Sequence, residues 1–328
     1  LKEYNTQYFD SGRSALLQLL KQINVKKIAL PEYICESVRN CFNNMEIVYY
    51  TVDHNFNIIW DDLIDICNNS NIDTIYLHYF NGYIDESYDF FKLNKLKEKK
   101  NLKIIEDTTH SFLSNKHTIG DYCICSLRKW FAIPDGGVLY SKKKFKKELL
   151  KVNNWYKIKY EAMIKKNNYL KGVYEKKSEF LNIFSKAEDM LDNQKESFRI
   201  SEISLHILKK VDLKYIMKKR LENYIILKQV FEDYGYNLIA LKGINQVPLF
   251  FTIYVDQRDD MRSYLIKNNI YCPIHWPLYN ELKKRENVVE NNMHELSIPI
   301  DQRYSKDEMN YIIKIVKKYS KKNVRKDR

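Results

Sequence analysis

The first 140 residues alternate short apolar runs with amphipathic helical stretches, and this alternation constrains the fold more than any other feature. It predicts a mostly parallel central sheet with helices on both faces, because parallel strands need helical crossovers between them. Ligands of such sheets bind at the carboxyl ends of the strands. The predicted strands are 27–30, 46–52, 74–80, 103–106, 122–126 and 137–141, and the predicted helices are 14–23, 60–68 and 88–99.

The second half of the chain has a different pattern. Residues 142–193 are lysine-rich and are predicted to be helical, and residues 199–236 are predicted to form one or two long helices. We therefore predict an α/β fold with a large domain of residues 1–200 and a smaller C-terminal α+β domain of residues 201–328. In the smaller domain we expect a strand at 247–255, a helix at 258–268, a strand or loop at 270–276, a strand at 296–300 and a helix at 306–318.

The 328 residues carry a formal net charge of +13. Such an excess fits nucleic-acid binding, affinity for anionic substrates or membranes, or a solvated lysine surface. We favour the solvated surface, because no zinc-finger, helix-turn-helix or RNA-recognition signature accompanies the charge. No nucleic-acid partner is therefore expected.

The cysteines and histidines do not indicate a metal site. Six cysteines and seven histidines show no spacing typical of metal ligands, and no CxxC pair occurs. Cys123 and Cys125 alternate within an apolar run, so both are expected to be small buried side chains. Since no signal peptide or long apolar segment is recognisable, we expect a cytoplasmic protein without a membrane span.

The segment 104–137 contains the most informative chemistry. Asp107 follows one apolar run, and Lys129 follows a second run shortly before the paired glycines 136 and 137. A buried acid and a buried amine at adjacent strand ends are what a pyridoxal phosphate (PLP) enzyme needs. The acid keeps the pyridine nitrogen protonated, and the amine forms a Schiff base with the aldehyde. Taken alone, Asp107 could equally cap a helix, and one lysine among many means little.

Further candidates surround this pair. Gly12 at a helix start leaves backbone N–H groups free for a phosphate, although an ordinary N-cap is the simpler reading of that segment. Tyr33 could stack on a planar ring or serve only in packing. His110 could hydrogen-bond a phenolic oxygen or cap a helix. Additional candidates for binding a phosphate are Arg13, Ser14 and Ser126. In the second domain, the adjacent polar and aromatic side chains of His275 and Trp276 are further candidate site residues.

Together these segments resemble the DegT/DnrJ/EryC1/StrS family of sugar aminotransferases, which are PLP enzymes of fold type I in the aspartate aminotransferase superfamily. The similar pieces occur in the family's order over nearly the whole chain. They are SGRSAL (11–16), LPEYIC (30–35), IIEDTTHS (104–111), SLRKWFAIPDGG (126–137), SFRISEI (197–203), YCPIHWPL (271–278) and LSIPIDQRYSKDEM (296–309).

The resemblance assigns roles to the candidates. It implies that Asp107 contacts the pyridine nitrogen, His110 the phenolic oxygen and Lys129 the aldehyde carbon of PLP. Three positions depart from the family: Ser126 precedes Lys129 by two residues fewer than usual, Arg13 replaces a common threonine, and Ser197 stands where the family often has an asparagine that reaches across the dimer interface. Phosphate roles are expected for Gly12, Arg13, Ser14 and Ser126, ring stacking for Tyr33, and substrate contacts for His275 and Trp276.

The resemblance also implies a reaction. A lysine, where some relatives have histidine, implies transamination rather than dehydration. The implied substrates are glutamate, yielding 2-oxoglutarate, and a nucleotide-linked keto sugar used in surface-glycan biosynthesis. A homodimer is also implied. Two alternatives remain open: a PLP-dependent aminotransferase acting on a small or phosphorylated keto compound, and a basic nucleic-acid-binding or regulatory protein.

Overall fold

The structure is a computed structural model that describes residues 3–82, 90–114, 119–173, 176–241 and 246–324. The first two residues of the predicted helix 88–99 lie outside the described residues, as do residues 325–328 of the basic tail.

A seven-stranded sheet forms the centre of the described structure. Its strands are β1 (Asn5–Phe9), β2 (Lys27–Pro31), β3 (Glu46–Tyr50), β4 (Thr74–His78), β5 (Lys103–Asp107), β6 (Tyr122–Cys125) and β7 (Gly137–Ser141). The strand order is β1-β7-β6-β5-β4-β2-β3, in which β2 to β6 are mutually parallel and β7 is antiparallel to β6 and β1. The predicted mostly parallel sheet is confirmed.

Helices cover both faces of this sheet. The alternation of side chains along β2 illustrates the arrangement, because Ile28 and Leu30 pack into one hydrophobic cluster and Ala29 packs into another. Leu16 and Leu19 belong to the first cluster, which therefore lies under the first helix. The helices of this region are α1 (Gly12–Leu20), α2 (Glu36–Arg39), α3 (Trp60–Asn69) and α4 (Phe90–Lys100).

The second half of the chain adds a helical hairpin and a smaller sheet. The helices are α5 (Trp155–Leu170), α6 (Lys177–Asp192), α7 (Glu202–Lys209), α8 (Leu213–Asp233), α9 (Arg258–Lys267), α10 (Glu286–His294) and α11 (Lys306–Val324). The strands β8 (Asn237–Leu238), β9 (Phe251–Tyr254) and β10 (Glu295–Ile298) form an antiparallel sheet in the order β10-β9-β8. The predicted α+β character of this region is confirmed.

One hydrophobic cluster joins the two sheets. It contains Ile75 and Leu77 of the large sheet together with Phe251 and Ile298 of the small sheet. The proposed division at residue 200 stays a prediction.

The prediction of a helix from residue 142 onward is wrong for residues 142–154, which have no helical structure. Side chains from the first strands and helix bind this segment instead. Gln7 donates to the carbonyl of Glu148 at 2.8 Å, and the amide of Lys146 donates to Gln22 at 2.9 Å. These long-range bonds satisfy backbone groups that a helix would have paired internally, so tertiary contacts override helical propensity.

The predicted strand 247–255 is shortened to Phe251–Tyr254. Backbone groups before it are bound elsewhere: the amide of Leu249 donates to the carbonyl of Asn81, and Arg220 donates to the carbonyl of Leu249. Strand β1 and helix α10 were not predicted from the sequence. No helix in the described part of the chain is both long and apolar enough to cross a membrane.

Candidate active site

Strands β5 and β6 bring Asp107 and Lys129 to the same end of the central sheet. Parallel pairing aligns Asp107 with Ile124, and Lys129 follows β6 in the short turn Leu127–Lys129. Both residues line a cavity of about 1000 Å³ at the carboxyl ends of the strands. Five other predicted site residues line the same cavity: Gly12, Arg13, His110, Ser126 and Trp276.

Asp107 is a buried carboxylate that is held in its ionised form. The hydroxyl of Tyr76 donates to its Oδ2 at 2.7 Å, and the amide of Thr109 donates to its Oδ1 at 2.8 Å. Nδ1 of His78 lies 3.2 Å from Oδ2. Burial alone would raise the pKa of Asp107, but the charge of His78 and these hydrogen bonds outweigh burial and lower the pKa. The carboxylate is therefore negative at neutral pH.

Lys129 lines the cavity, but its side chain is exposed, so the predicted burial of this amine is wrong. Among the described residues, its ammonium forms no ion pair. Desolvation by the protein atoms around the cavity is the main cause that lowers the pKa of Lys129, and the charge of Arg128 lowers it further. Cys35, Glu188 and Asp107 act in the opposite direction. The lowered pKa increases the fraction of free, nucleophilic amine at neutral pH.

His110 is a neutral hydrogen-bond donor toward the cavity. The backbone amide of Asn81 points at Nδ1 of His110 at a distance of 3.3 Å. An amide can only donate, so Nδ1 accepts and the ring proton is placed on Nε2. Burial, followed by the charges of His78, His275 and Lys129, lowers the pKa of His110 well below its ordinary value. The imidazole thus offers an Nε2–H group without a positive charge.

The first turn of α1 meets Ser126 at one end of the cavity. A Cβ atom on Gly12 would lie 3.1 Å from Cβ and 3.2 Å from the backbone nitrogen of Ser126, so only glycine fits without a shift. A Cβ on Gly137 would lie 2.1 Å from the carbonyl oxygen of Ser11, which explains one of the paired glycines. The amide of Ser14 is capped by the hydroxyl of Ser11 at 3.1 Å. The preceding amides of the turn are left for a ligand.

The other two predicted phosphate ligands are already bound to protein groups. Arg13 lines the cavity, but its Nη1 donates to the carbonyl of Leu191 at 2.9 Å and its Nη2 to the carboxylate of Asp192 at 2.8 Å. Ser14 is fully buried, and its hydroxyl accepts from Gln194 at 2.9 Å. The structure therefore does not direct either side chain toward a phosphate at the end of α1.

Tyr33 and His275 lie behind the cavity wall, since neither is among the described residues that line it. The hydroxyl of Tyr33 donates to the carbonyl of His275, and its ring packs 5.2 Å from the ring of Trp276. Nδ1 of His275 lies 3.3 Å from the buried carboxylate of Glu295. Both residues thus support Trp276, which is the aromatic side chain that reaches the cavity. In the LPEYIC segment, Cys35 rather than Tyr33 lines the cavity.

Two functional candidates were missed in the sequence. His78 ends β4, the neighbour of β5, so the rule that strand ends meet at one edge could have identified it. It lines the cavity and is 4 % exposed. Arg128 precedes Lys129 and also lines the cavity, but no local pattern separates it from other basic residues.

The fold is shared with solved sugar-aminotransferase structures. Helicobacter pylori PseC, an aminotransferase involved in pseudoaminic acid biosynthesis, has a TM-score of 0.69 and 16% identity over 97% of this chain and 87% of its own. S. venezuelae DesV, solved with a ketimine intermediate, has a TM-score of 0.68 and 15% identity over 96% and 84%. A DegT DnrJ EryC1 StrS aminotransferase from Brucella abortus has a TM-score of 0.65 and 15% identity over 96% and 86%.

Sequence comparison adds nothing to this likeness, because no protein-family model and no curated protein matches the chain. Identities this low establish the fold alone. The predicted fold, a PLP fold type I large domain with a smaller C-terminal part, is confirmed.

Proposed function

We propose that this protein is a PLP-dependent aminotransferase that moves an amino group from glutamate to a nucleotide-linked keto sugar in surface-glycan biosynthesis. The observation that carries the proposal is that Asp107, at the end of β5, and Lys129, in the turn after the adjacent parallel strand β6, line one cavity. Low overall identity to the solved aminotransferases makes the site chemistry the main support.

The cavity residues fit PLP. An ionised Asp107 suits a protonated pyridine nitrogen, and the neutral Nε2–H of His110 suits a phenolic oxygen. The first turn of α1 approaches Ser126 closely, and its backbone amides suit the phosphate. His78 also indicates that the cavity holds a ligand. It is buried in the cavity wall, and neither of its ring nitrogens has a hydrogen-bond partner among the described residues. Nδ1 still contacts the carboxylate of Asp107, so Nε2 is the buried ring nitrogen without a partner, which is costly unless a ligand supplies one.

When bound, PLP supplies an aldehyde for the amino group and an electron sink that acidifies the α-carbon of the donor. The protein's own groups would do the rest. Asp107 stays negative and holds a proton on the ring nitrogen. Lys129, with its lowered pKa, is available as a free amine that takes and returns the proton of the substrate carbon. Trp276 forms part of the wall that limits water access.

The substrate class and the homodimer are proposed from the family resemblance. A basic side chain at the cavity, the exposed Lys195, would suit an acceptor that bears a diphosphate. Exposed apolar side chains on the hairpin of α5 and α6, including Leu170 and Leu181, would suit a subunit contact.

A spectroscopic titration tests the proposal. The purified protein should become yellow with PLP, lose the colour with glutamate, and regain it with a UDP- or dTDP-linked keto sugar but not with simple ketones. Lys129→Ala should abolish borohydride-stable attachment of the cofactor, whereas Lys147→Ala, at an exposed lysine, should not. A colourless protein that retains DNA in a salt-sensitive manner would instead favour the nucleic-acid alternative.

A further inference from the structure

Two arginines line the active-site cavity, and they differ in how their donors are used. The guanidinium of Arg13 is engaged by Leu191 and by the carboxylate of Asp192, which neutralises its charge. Arg128 uses only Nη1, which lies 3.1 and 3.4 Å from the two carboxylate oxygens of Glu188. The buried Nε of both arginines has no hydrogen-bond partner among the described residues, so the two side chains differ at Nη2, which is bound to Asp192 in Arg13 and to no described residue in Arg128. Arg128 therefore retains unused N–H donors beside the cavity.

The charge around Arg128 is also unbalanced. Glu188 accepts an ion pair from Lys159 as well as from Arg128, so one carboxylate serves two cations. Burial, followed by the charge of Arg128, lowers the pKa of Lys159 to about 8. The cluster of Arg128, Lys159 and Glu188 thus carries excess positive charge near the cavity wall, which an anion would offset.

The position of Arg128 is at the end of the cavity where α1 begins. Its guanidinium carbon lies 5.4 Å from the ring centre of Trp155, and the indole N–H of Trp155 donates to Asp10 at 3.0 Å. Asp10 directly precedes Ser11, the N-cap of α1. Ser126, two residues before Arg128, touches Gly12 at that same end. Two short series of contacts, one through Trp155 and Asp10 and one through Ser126, therefore connect Arg128 to the first turn of α1.

We propose that Arg128 binds a phosphate group together with the first turn of α1, in the role that the sequence suggested for Arg13. The ligand is a phosphate monoester, and its favoured source is PLP, so this inference rests on the proposed function. A planar guanidinium with several free N–H groups matches phosphate geometry, and the helix terminus adds further donors.

Cofactor binding with and without the phosphate tests the inference. PLP and pyridoxal are titrated against the unaltered protein and against Arg128→Gln, Arg128→Lys and Arg13→Gln, with binding followed by visible absorbance. At alkaline pH, where Lys129 is a free amine in both proteins, Arg128→Gln should weaken PLP binding about 10- to 100-fold, as expected for a lost charge-assisted hydrogen bond, and leave pyridoxal binding unchanged. Arg128→Lys should recover part of the affinity. Arg13→Gln should change neither ligand by more than about threefold.

Several outcomes would contradict the inference. An equal loss of PLP and pyridoxal binding in Arg128→Gln would make Arg128 a structural residue, and a phosphate-specific loss in Arg13→Gln alone would restore the original assignment. Unchanged PLP binding with a raised KM for a phosphate-bearing acceptor would overturn PLP as the source of the phosphate and assign Arg128 to the substrate.

Inorganic phosphate separates this inference from the proposed function. Thermal unfolding of the unaltered protein should shift upward with phosphate, and the shift should be lost in Arg128→Gln. If this result is obtained but neither PLP nor pyridoxal binds, the phosphate site is upheld and the aminotransferase proposal fails. If PLP binds but phosphate stabilises both proteins equally, the inference fails alone.

Discussion

Nδ1 of His78 lies 3.2 Å from Oδ2 of Asp107 at the floor of the cavity, and each residue is 4 % exposed. The geometry is that of a charge contact rather than a well-aligned hydrogen bond, since neither ring nitrogen of His78 has a hydrogen-bond partner among the described residues. The contact opposes the effect of burial on Asp107 and helps to lower its pKa. It therefore contributes to keeping the carboxylate ionised.

Replacing His78 by glutamine should raise the pKa of Asp107, because the charge that favours its ionised form is removed. Asp107 will then be protonated at a higher pH, so the loss of PLP affinity on acidification should begin at a higher pH than in the unaltered protein. Titrations of PLP at a series of acid pH values check this. His206→Gln, at an exposed position on α7, is the control. A profile unchanged in both variants would show that His78 does not act on Asp107.

Replacing Arg128 by glutamine should raise the pKa of Lys129, because a neighbouring positive charge that disfavours protonation is lost. Less free amine is then present at neutral pH. The rate of colour formation with pyridoxal, which has no phosphate, should reach its half-maximal value at a higher pH than in the unaltered protein. A shift to lower pH would refute the assigned sign.

Replacing Glu188 by glutamine should have the opposite effect. Its negative charge raises the pKa of Lys129 and of Lys159, so its removal should lower both. The pyridoxal reaction should then reach half of its maximal rate at a lower pH. Glu202→Gln, an exposed glutamate at the start of α7, is the matched control and should leave the profile in place.

The donor role of His110 predicts that charge is not required at this position. His110→Gln retains an N–H donor and should keep PLP affinity within about tenfold of the unaltered protein, whereas His110→Leu should lose more. Since burial and nearby cations keep His110 neutral, the ratio of the two affinities should not change between neutral and mildly acid pH. A ratio that follows the titration of an imidazole would contradict this role.

The close approach of Gly12 to Ser126 predicts a local effect of Gly12→Ala. The added Cβ would lie 3.1 Å from Cβ of Ser126, so either the first turn of α1 or Ser126 must move, and PLP affinity should fall. Gly172→Ala is the contrasting control, because Gly172 has a positive φ of 70° but nothing within 4 Å of a Cβ. That variant should lower the free energy of unfolding by about 1 kcal/mol without changing PLP affinity. Binding titrations and thermal unfolding separate the two effects.

Local patterns predicted six of the seven described strands of the central sheet and missed β1, because apolar periodicity is a property of neighbouring residues. The bounds of β7 agree at both ends, and β5 differs by one residue. The same patterns failed for residues 142–154. Their backbone partners, such as Gln7, are more than a hundred positions away in the chain. Helical propensity depends on the local sequence, so it does not include those long-range hydrogen bonds.

The sequence by itself determined that Asp107 and Lys129 follow successive strands, and the rule for parallel sheets then places them at one edge. Only the tertiary structure decided which of their neighbours face the cavity. Arg13 pairs with Asp192, which is 179 positions away, and Tyr33 is bound to His275, which is 242 positions away. Arg128 and Trp276 reach the cavity instead. Whether a side chain is free for a ligand depends on partners brought together by folding, and no local pattern contains that information.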